Sequence, residues 1–407
     1  ASGAAFTTQP QVTIQDAGGN TVTSSSAVIT ATISAGGTIV GTNTATAVNG
    51  VATFSNLGSA GVAGTAYTIT YTSGGLTVAT QVVTVSAGAA GRLALTRLSV
   101  GAASGAAFAV QPQVTIQDTA GNTVTSSSAL VIATISAGGT IVGTNTATAV
   151  NGVATFSNLG ITGIKGIAYT ITYFTISHLP NYLTTVTQVV NPSVGAATKL
   201  AVLRLSVGTA SDAAFTTQPQ VVIQDTGGNT VTSSAVVTAA FSAGTTLGTL
   251  TATASNGVAT YTGLGVKDTI GSHTITYSSP GLTSVAETFT LTFGVATKLV
   301  VTTSAVGGVA SAVDFPTQPA VTVQDSANNT VTNHTGNVGV AITANSGTTT
   351  CTLGGTTPVA FNGTTGVVTF AGLNAIEAVT ASACIFTLTF TTSVGTFAVS
   401  QTGITTV

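Results

Sequence analysis

Residues 9–25 read QPQVTIQDAGGNTVTSS, and close variants return three times. Gln111 opens QPQVTIQDTAGNTVTSS, Gln218 opens QPQVVIQDTGGNTVTSS, and Gln318 opens QPAVTVQDSANNTVTNH. In each copy apolar residues alternate with Thr or Gln, the period of a half-buried strand. The Asp that follows stands two to four residues before Gly or Asn. An Asp side chain accepts nearby backbone N–H groups, and Gly and Asn tolerate left-handed φ, so this is the chemistry of a tight turn. The stretch therefore predicts a strand that ends in a turn, four times over.

The landmarks at 9, 111, 218 and 318 are 102, 107 and 100 residues apart, and others keep step with them. AVNGVATFSNLG (47–58) returns at 149–160, as ASNGVATYTGLG at 254–265, and more faintly as GTTGVVTFAGLN at 363–374. AYTITY (66–71) returns at 168–173, then as HTITY (273–277) and IFTLTF (385–390). Such periodicity marks tandem structural units. Each of the last three is preceded by an apolar lead: GRLALTRLSVG at 91, ATKLAVLRLSVG at 197 and ATKLVVTTSAVG at 296. The first unit has no counterpart of that lead, so its sheet is expected to expose an unpaired edge. The C-terminal segment after Phe390 has about three residues to spare, short of the ~5 that a donated strand needs.

Seven short strands per ~100 residues, separated by Gly, Asn, Asp and Ser clusters, predict an all-β chain. It is divided as four tandem immunoglobulin-like β-sandwich domains in an elongated rod, at 1–88, 89–195, 196–294 and 295–407. No helical periodicity interrupts the pattern. The Cys–Trp–Cys core of antibody domains is missing, so packing falls to Val, Ile, Leu and a few aromatics such as Phe54 and Tyr67. The run ATKL, QPxVxxQDxxGNTVT, NGVATF, YTITY and GLT resembles the tandem bacterial Ig-like modules of large surface proteins, in the style of Big and invasin-type domains. That resemblance implies stalks, spacers, adhesive rods or wall components.

Composition narrows the function. Of 407 residues, 43% are hydrophobic and only 4% charged, with a net charge of −2. Phosphate recognition needs clustered Lys and Arg, so no nucleic-acid partner is expected. Mean hydropathy is +0.56, yet Thr, Ser or Gly breaks every run before the ~18 apolar residues of a membrane span. An uncharged, hydroxyl-rich surface suits an extracellular or cell-surface location. Ala1-Ser2-Gly3 carries no basic or apolar leader, as in a mature or trimmed chain.

The candidate sites are few. Asp16, Asp118, Asp225 and Asp325 read as turn-formers. Calcium at these positions is the lesser alternative, because it takes six to eight oxygens and no second carboxylate lies near in sequence. Otherwise no metal or cofactor is expected. His178, His273 and His334 fall in three different units and read as solvated loop or strand residues. No catalytic constellation stands out, so no enzyme activity and no small-molecule substrate are expected. Cys351 and Cys384 share the last unit and predict a disulfide in an oxidising compartment. Asn328, Asn333 and Asn362 are candidate glycosylation sites. The second unit has a five-residue insertion at 174–182, whose Phe174, His178 and Tyr182 form a candidate contact loop. The expected role is a structural subunit of a surface filament, sheath or surface layer, with copies of itself as partners. The alternatives are an adhesin stalk or a carbohydrate- or receptor-binding module.

Overall fold

The computed structural model describes residues 1–176, 183–307, 310–346, 349–378 and 383–406. All regular structure among them is β, and no described helix is long and apolar enough to cross a membrane. The chain forms two compact units. One comprises Ala1–Ala196 with Asp225–Asn229, the other Ala197–Gln224 with Thr230–Val407.

In the first unit, the repeat beginning at Gly91 shows the full pattern. The lead strand Arg92–Arg97 pairs antiparallel with Gln113–Gln117, the strand of the recurring motif, which pairs in turn with Val153–Thr155. Thr146–Val150 carries the order on to Leu130–Ile135, Tyr169–Thr175 and Val186–Val190. Ala106–Ala107, Gly160–Thr162 and Thr140–Val142 form a separate small sheet. The hairpin between Thr146–Val150 and Val153–Thr155 turns on Asn151 (φ 49°) and Gly152 (φ 76°). Positive φ at both positions is the Asn-Gly hairpin geometry whose twist matches the strands. Side chains alternate as the period of two dictates, with Tyr169, Ile171 and Tyr173 buried and the intervening threonines half-buried. One apolar cluster gathers Leu93, Val114 and Ile116 with Val131, Ile171 and Tyr173 from the facing strands. Two sheets thus share one core, as in a sandwich.

In the second unit the same pattern recurs twice. Lys199–Arg204, Gln220–Gln224 and Val258–Thr260 face Thr251–Thr253, Val236–Phe241, Gly271–Ser278 and Val285–Leu291. Ala296–Thr303, Ala320–Asp325 and Val367–Thr369 face Val359–Ala360, Asn337–Ser346, Ile385–Thr392 and Ala398–Thr405. The place of an antibody's Cys and Trp is taken by an aromatic pair across each core. Phe54–Tyr71, Phe156–Tyr173, Tyr261–Tyr277 and Phe370–Phe390 have ring centroids 5.5, 5.6, 5.4 and 5.5 Å apart. Tyr67, expected as a core aromatic, is buried too, and its hydroxyl accepts the Val62 N–H. Cys351 and Cys384 form a disulfide inside the last cluster.

The first repeat pairs differently among the described residues. Its motif strand Gln11–Thr13 pairs with Val51–Thr53 and, among the described residues, with no lead strand on the other side. Its buried cluster holds ten residues, against eighteen in the second repeat.

The Gln that opens each motif is a clamp. Gln111 Nε2 donates to the carbonyls of Phe108 and Leu159, both at 2.9 Å, and its Oε1 accepts the Leu159 N–H at 2.8 Å. Gln9, Gln218 and Gln318 repeat this on Leu57, Leu264 and Leu373. Each amide spends both kinds of hydrogen-bonding group to fix the strand that follows the core aromatic.

Candidate functional site

The recurring Asp makes its turn locally. Asp16 Oδ1 accepts the N–H groups of Gly18 and Asn20, each at 2.9 Å. The later copies also reach 30 or 31 residues back along the chain. Asp118 Oδ2 accepts the Gly88 N–H at 2.8 Å, Asp225 Oδ2 accepts Gly195 at 2.8 Å, and Asp325 Oδ2 accepts Gly294 at 2.8 Å. The Asn four residues on completes the fastening. Asn122 Nδ2 donates to Asp118 and to the Gly61 carbonyl, while its Oδ1 accepts the Ala63 N–H. Asn229 binds Gly163 and Lys165 in the same way, and Asn329 binds Asp268 and Ile270.

These three clips are buried. Asp118, Asp225 and Asp325 are 2%, 0% and 0% exposed, whereas Asp16 and Asn20 are open to solvent. Burial works to raise each of the three carboxyls, but N–H donors from the Asn and the preceding Gly outweigh it and hold them below the ordinary value. At Asp16 the Asn20 backbone N–H leads, joined by the Asn20 side chain and the N–H groups of Gly18 and Gly19, and the carboxyl is again lowered. The carboxylates thus face donors, a shell suited to a fixed anion. Among the described residues no three His, Cys, Asp or Glu side chains gather as a metal site.

A second feature lies on the first repeat. Beside Gln11–Thr13 runs a groove of about 450 Å³, lined by Val12, Ile14, Ile29, Tyr71, Leu76 and Ala79 among others. A lead strand covers this place in the other repeats. Leu76 is 46% exposed, while Leu183 at the equivalent position is 6% exposed.

The remaining sequence candidates are dispersed. Phe174 belongs to the strand Tyr169–Thr175, opposite Ile132, and is half-buried there rather than carried on a loop. His178 and Tyr182 lie outside the described residues. His273, expected to be solvated, is 9% exposed; it stacks on Phe289 with centroids 5.8 Å apart and shares a hydrogen bond with the Thr269 carbonyl at 2.8 Å. Strand alternation turns it inward with Ile275 and Tyr277. His334 is also partly covered, edge-on to Phe361 at 5.0 Å. Asn328, Asn333 and Asn362 are all exposed. Asn328 accepts from Lys298, and Asn362 Oδ1 accepts the Thr364 N–H at 2.9 Å.

No protein-family model and no curated protein sequence matches the chain. Solved structures do. The surface layer protein SbsC, domains 1–6, is 16% identical over 98% of this chain, which spans 53% of that one, with a TM-score of 0.25. InvD of Yersinia pseudotuberculosis is 16% identical over 77% of this chain and 97% of its own, with a TM-score of 0.27. The protocadherin γB4 extracellular domain is 15% identical over 99% of this chain and 64% of its own, with a TM-score of 0.30. The chain is similar to these at a level too low to carry an argument about its role.

Proposed function

We propose that the chain is a non-enzymatic structural protein of the cell exterior, four Ig-like modules fastened end to end as a rod. On this reading it serves as a subunit of a filament, sheath or surface layer built by contacts between such modules, with further copies of itself as partners. The buried Asp–Asn clip supports the reading. A chain with only nine acidic residues commits Asp118, Asp225 and Asp325 to backbone N–H groups contributed from 30 or more residues earlier. Carboxylates spent in this way fix geometry, both oxygens of each being turned onto N–H donors. We assign them to this work rather than to calcium.

A test is small-angle X-ray scattering of the full chain beside its Asn122→Ala and Asn329→Ala variants. Wild type is expected to scatter as an extended, stiff particle, and each variant as a more flexible one with unchanged β content by circular dichroism. A compact wild-type particle, or variants that scatter identically to it, would sink the proposal. Electron microscopy of native material supplies the second arm, where periodic assemblies are expected at high concentration.

A further inference from the structure

The last repeat departs from the other three at one short stretch. Where they read Ser24-Ser25-Ser26, Ser126-Ser127-Ser128 and Ser233-Ser234-Ala235, it reads Asn333-His334-Thr335. That is an Asn-x-Thr acceptor for an N-linked sugar. Asn333 sits in a turn, and both it and Thr335 are exposed. Two other such triplets share the repeat, and their geometry sets them apart. Asn328 has a φ of 71° and accepts from Lys298. Its neighbour Asn329 is locked into the buried clip with Asp325 and the Asp268 carbonyl. Asn362 Oδ1 is committed to its own turn, accepting the N–H groups of Thr364 and Thr365 at 2.9 and 3.1 Å. The Asn333 side chain has no hydrogen-bond partner among the described residues.

A second, independent feature lies at the same place. Asn333 stands on the lip of a pocket of about 580 Å³, which His334, Phe293, Val295 and Phe397 help to line. That size falls within the ~300–1,000 Å³ of small-ligand sites. Its apolar walls are peculiar to this repeat. Phe293 and Val295 flank Gly294, whereas Ala87 and Ala89 flank Gly88, and Val194 and Ala196 flank Gly195. The His334 ring lies edge-on to Phe361 and 6.1 Å from Phe397, centroid to centroid. Its Nε2 is buried with no partner among the described residues, so the imidazole supplies ring surface there and not a hydrogen bond. Val295 is 82% exposed. An aliphatic side chain bared beside an aromatic wall is apolar surface left open to an occupant.

We propose that Asn333 carries an N-linked sugar whose first one or two rings lie in this pocket. The donor is a glycosyl diphosphate, lipid- or nucleotide-linked, presented by a separate transferase. Asn333 Nδ2 attacks the anomeric carbon; the N–C bond forms as the C–O bond to the diphosphate breaks. Nδ2 gives up one proton, and the diphosphate leaves with the bonding pair. The apolar CH face of the sugar covers Val295 and Phe397, taking their surface out of water, while its hydroxyls stay at the rim. The tether at Asn333 selects this occupant, because a group linked at the lip enters the pocket as an intramolecular partner. The setting, the cell exterior, is that of the role proposed above.

Peptide mass spectrometry of native material tests the attachment. A sugar mass on Asn333 is expected, with Asn328 and Asn362 bare. A bare Asn333, or sugar confined to the other two, overturns the proposal. The seat of the sugar is tested on the full 407-residue chain, made in a secreting host that attaches N-linked sugars and in one that does not. Thr335→Ala removes the acceptor and keeps Asn333. It is expected to lower the melting of the last repeat by about 2–4 °C in the first host and to leave it unchanged in the second. Val295→Ser is expected to shrink the difference between glycosylated and bare chains without moving the bare one. Hydrogen exchange at 395–397 is expected to slow when the sugar is present. Glycosylated and bare chains that melt and exchange alike overturn the pocket as its seat, as does a Thr335→Ala shift equal in both hosts. A failed scattering test would leave these outcomes intact, because Asn122→Ala and Asn329→Ala both keep the Asn333-His334-Thr335 triplet. Equally, a bare Asn333 would leave the scattering test standing.

Discussion

Four tyrosine hydroxyls and one polar position show how much depends on a single atom. Tyr71 donates to Gln81 at 2.9 Å, Tyr277 to Glu287 at 2.6 Å, and Tyr261 to the Val237 carbonyl at 3.0 Å. Tyr173 is fully buried, and its hydroxyl has no partner among the described residues. The cause is competition. Gln188, which stands where Gln81 and Glu287 stand, is occupied by Ser99. Glu287 has two oxygens and serves both Tyr277 and Ser206; the last repeat avoids the conflict by placing Phe390 there. Leaving a buried hydroxyl unpaired costs about 1–3 kcal/mol, whereas deleting it removes that cost. Tyr173→Phe is therefore expected to be neutral or to stabilise by up to about 2 kcal/mol. Tyr277→Phe is expected to destabilise by about 1–3 kcal/mol, since it strips a buried carboxylate of its donor. Calorimetric melts of the two full-chain variants check both signs at once, and a destabilised Tyr173→Phe would contradict the competition.

At the scale of elements, the strands were legible because alternation and turn chemistry are local. QPQVTIQD states a strand and a turn within eight residues, and VNG states a hairpin. What could not be read was where side chains reach across the fold. Asp118 and Asn122 end on main-chain atoms of Gly88, Gly61 and Ala63, and backbone partners leave no residue-type signature. Gln111 was hidden for the same reason. The histidines misled because an isolated polar residue in a Thr-rich strand gives no hint of which face is inward. The cysteine pair was readable from compartment logic, and its structural consequence can be stated. Both sulfurs are buried, and the bridge closes a 33-residue separation, which in the chain-entropy account stabilises by roughly 3–4 kcal/mol. Reduction under denaturing conditions followed by refolding with the thiols blocked is expected to lower the melting of the last repeat alone. Exchange mapping of Ile385–Thr392 against Tyr169–Thr175 distinguishes that from a global effect.

For the whole molecule, scarcity of charge makes the pH response simple to derive. The chain has nine acidic residues, seven basic ones and three histidines, so few groups change state near neutrality. The carboxyls of Asp118, Asp225 and Asp325 lie below their ordinary value in the folded chain: burial alone would raise them, and the N–H donors of the clips more than reverse it. A carboxyl lowered by folding contributes stability that is complete above its unfolded value, about 3.9, and is lost as pH falls through the folded one. Acid is thus expected to act below about pH 4 and to act at the clips first. On the alkaline side Tyr173, Tyr261 and Tyr277 are pushed up by burial, Tyr277 additionally by the Glu287 carboxylate. Their contribution is complete below the unfolded tyrosine value of about 10 and is lost as pH rises above it, because the unfolded chain ionises first. Denaturation midpoints are expected to stay level from about pH 5 to 9 and to fall on both sides. Asp118→Asn keeps the size of the side chain and removes the titration. It is expected to lower the plateau and to flatten the acid limb, whereas Asp16→Asn, exposed and bonded only within its own turn, is expected to change both less. An acid limb equally steep in wild type and Asp118→Asn would show that the clips are not what acid releases.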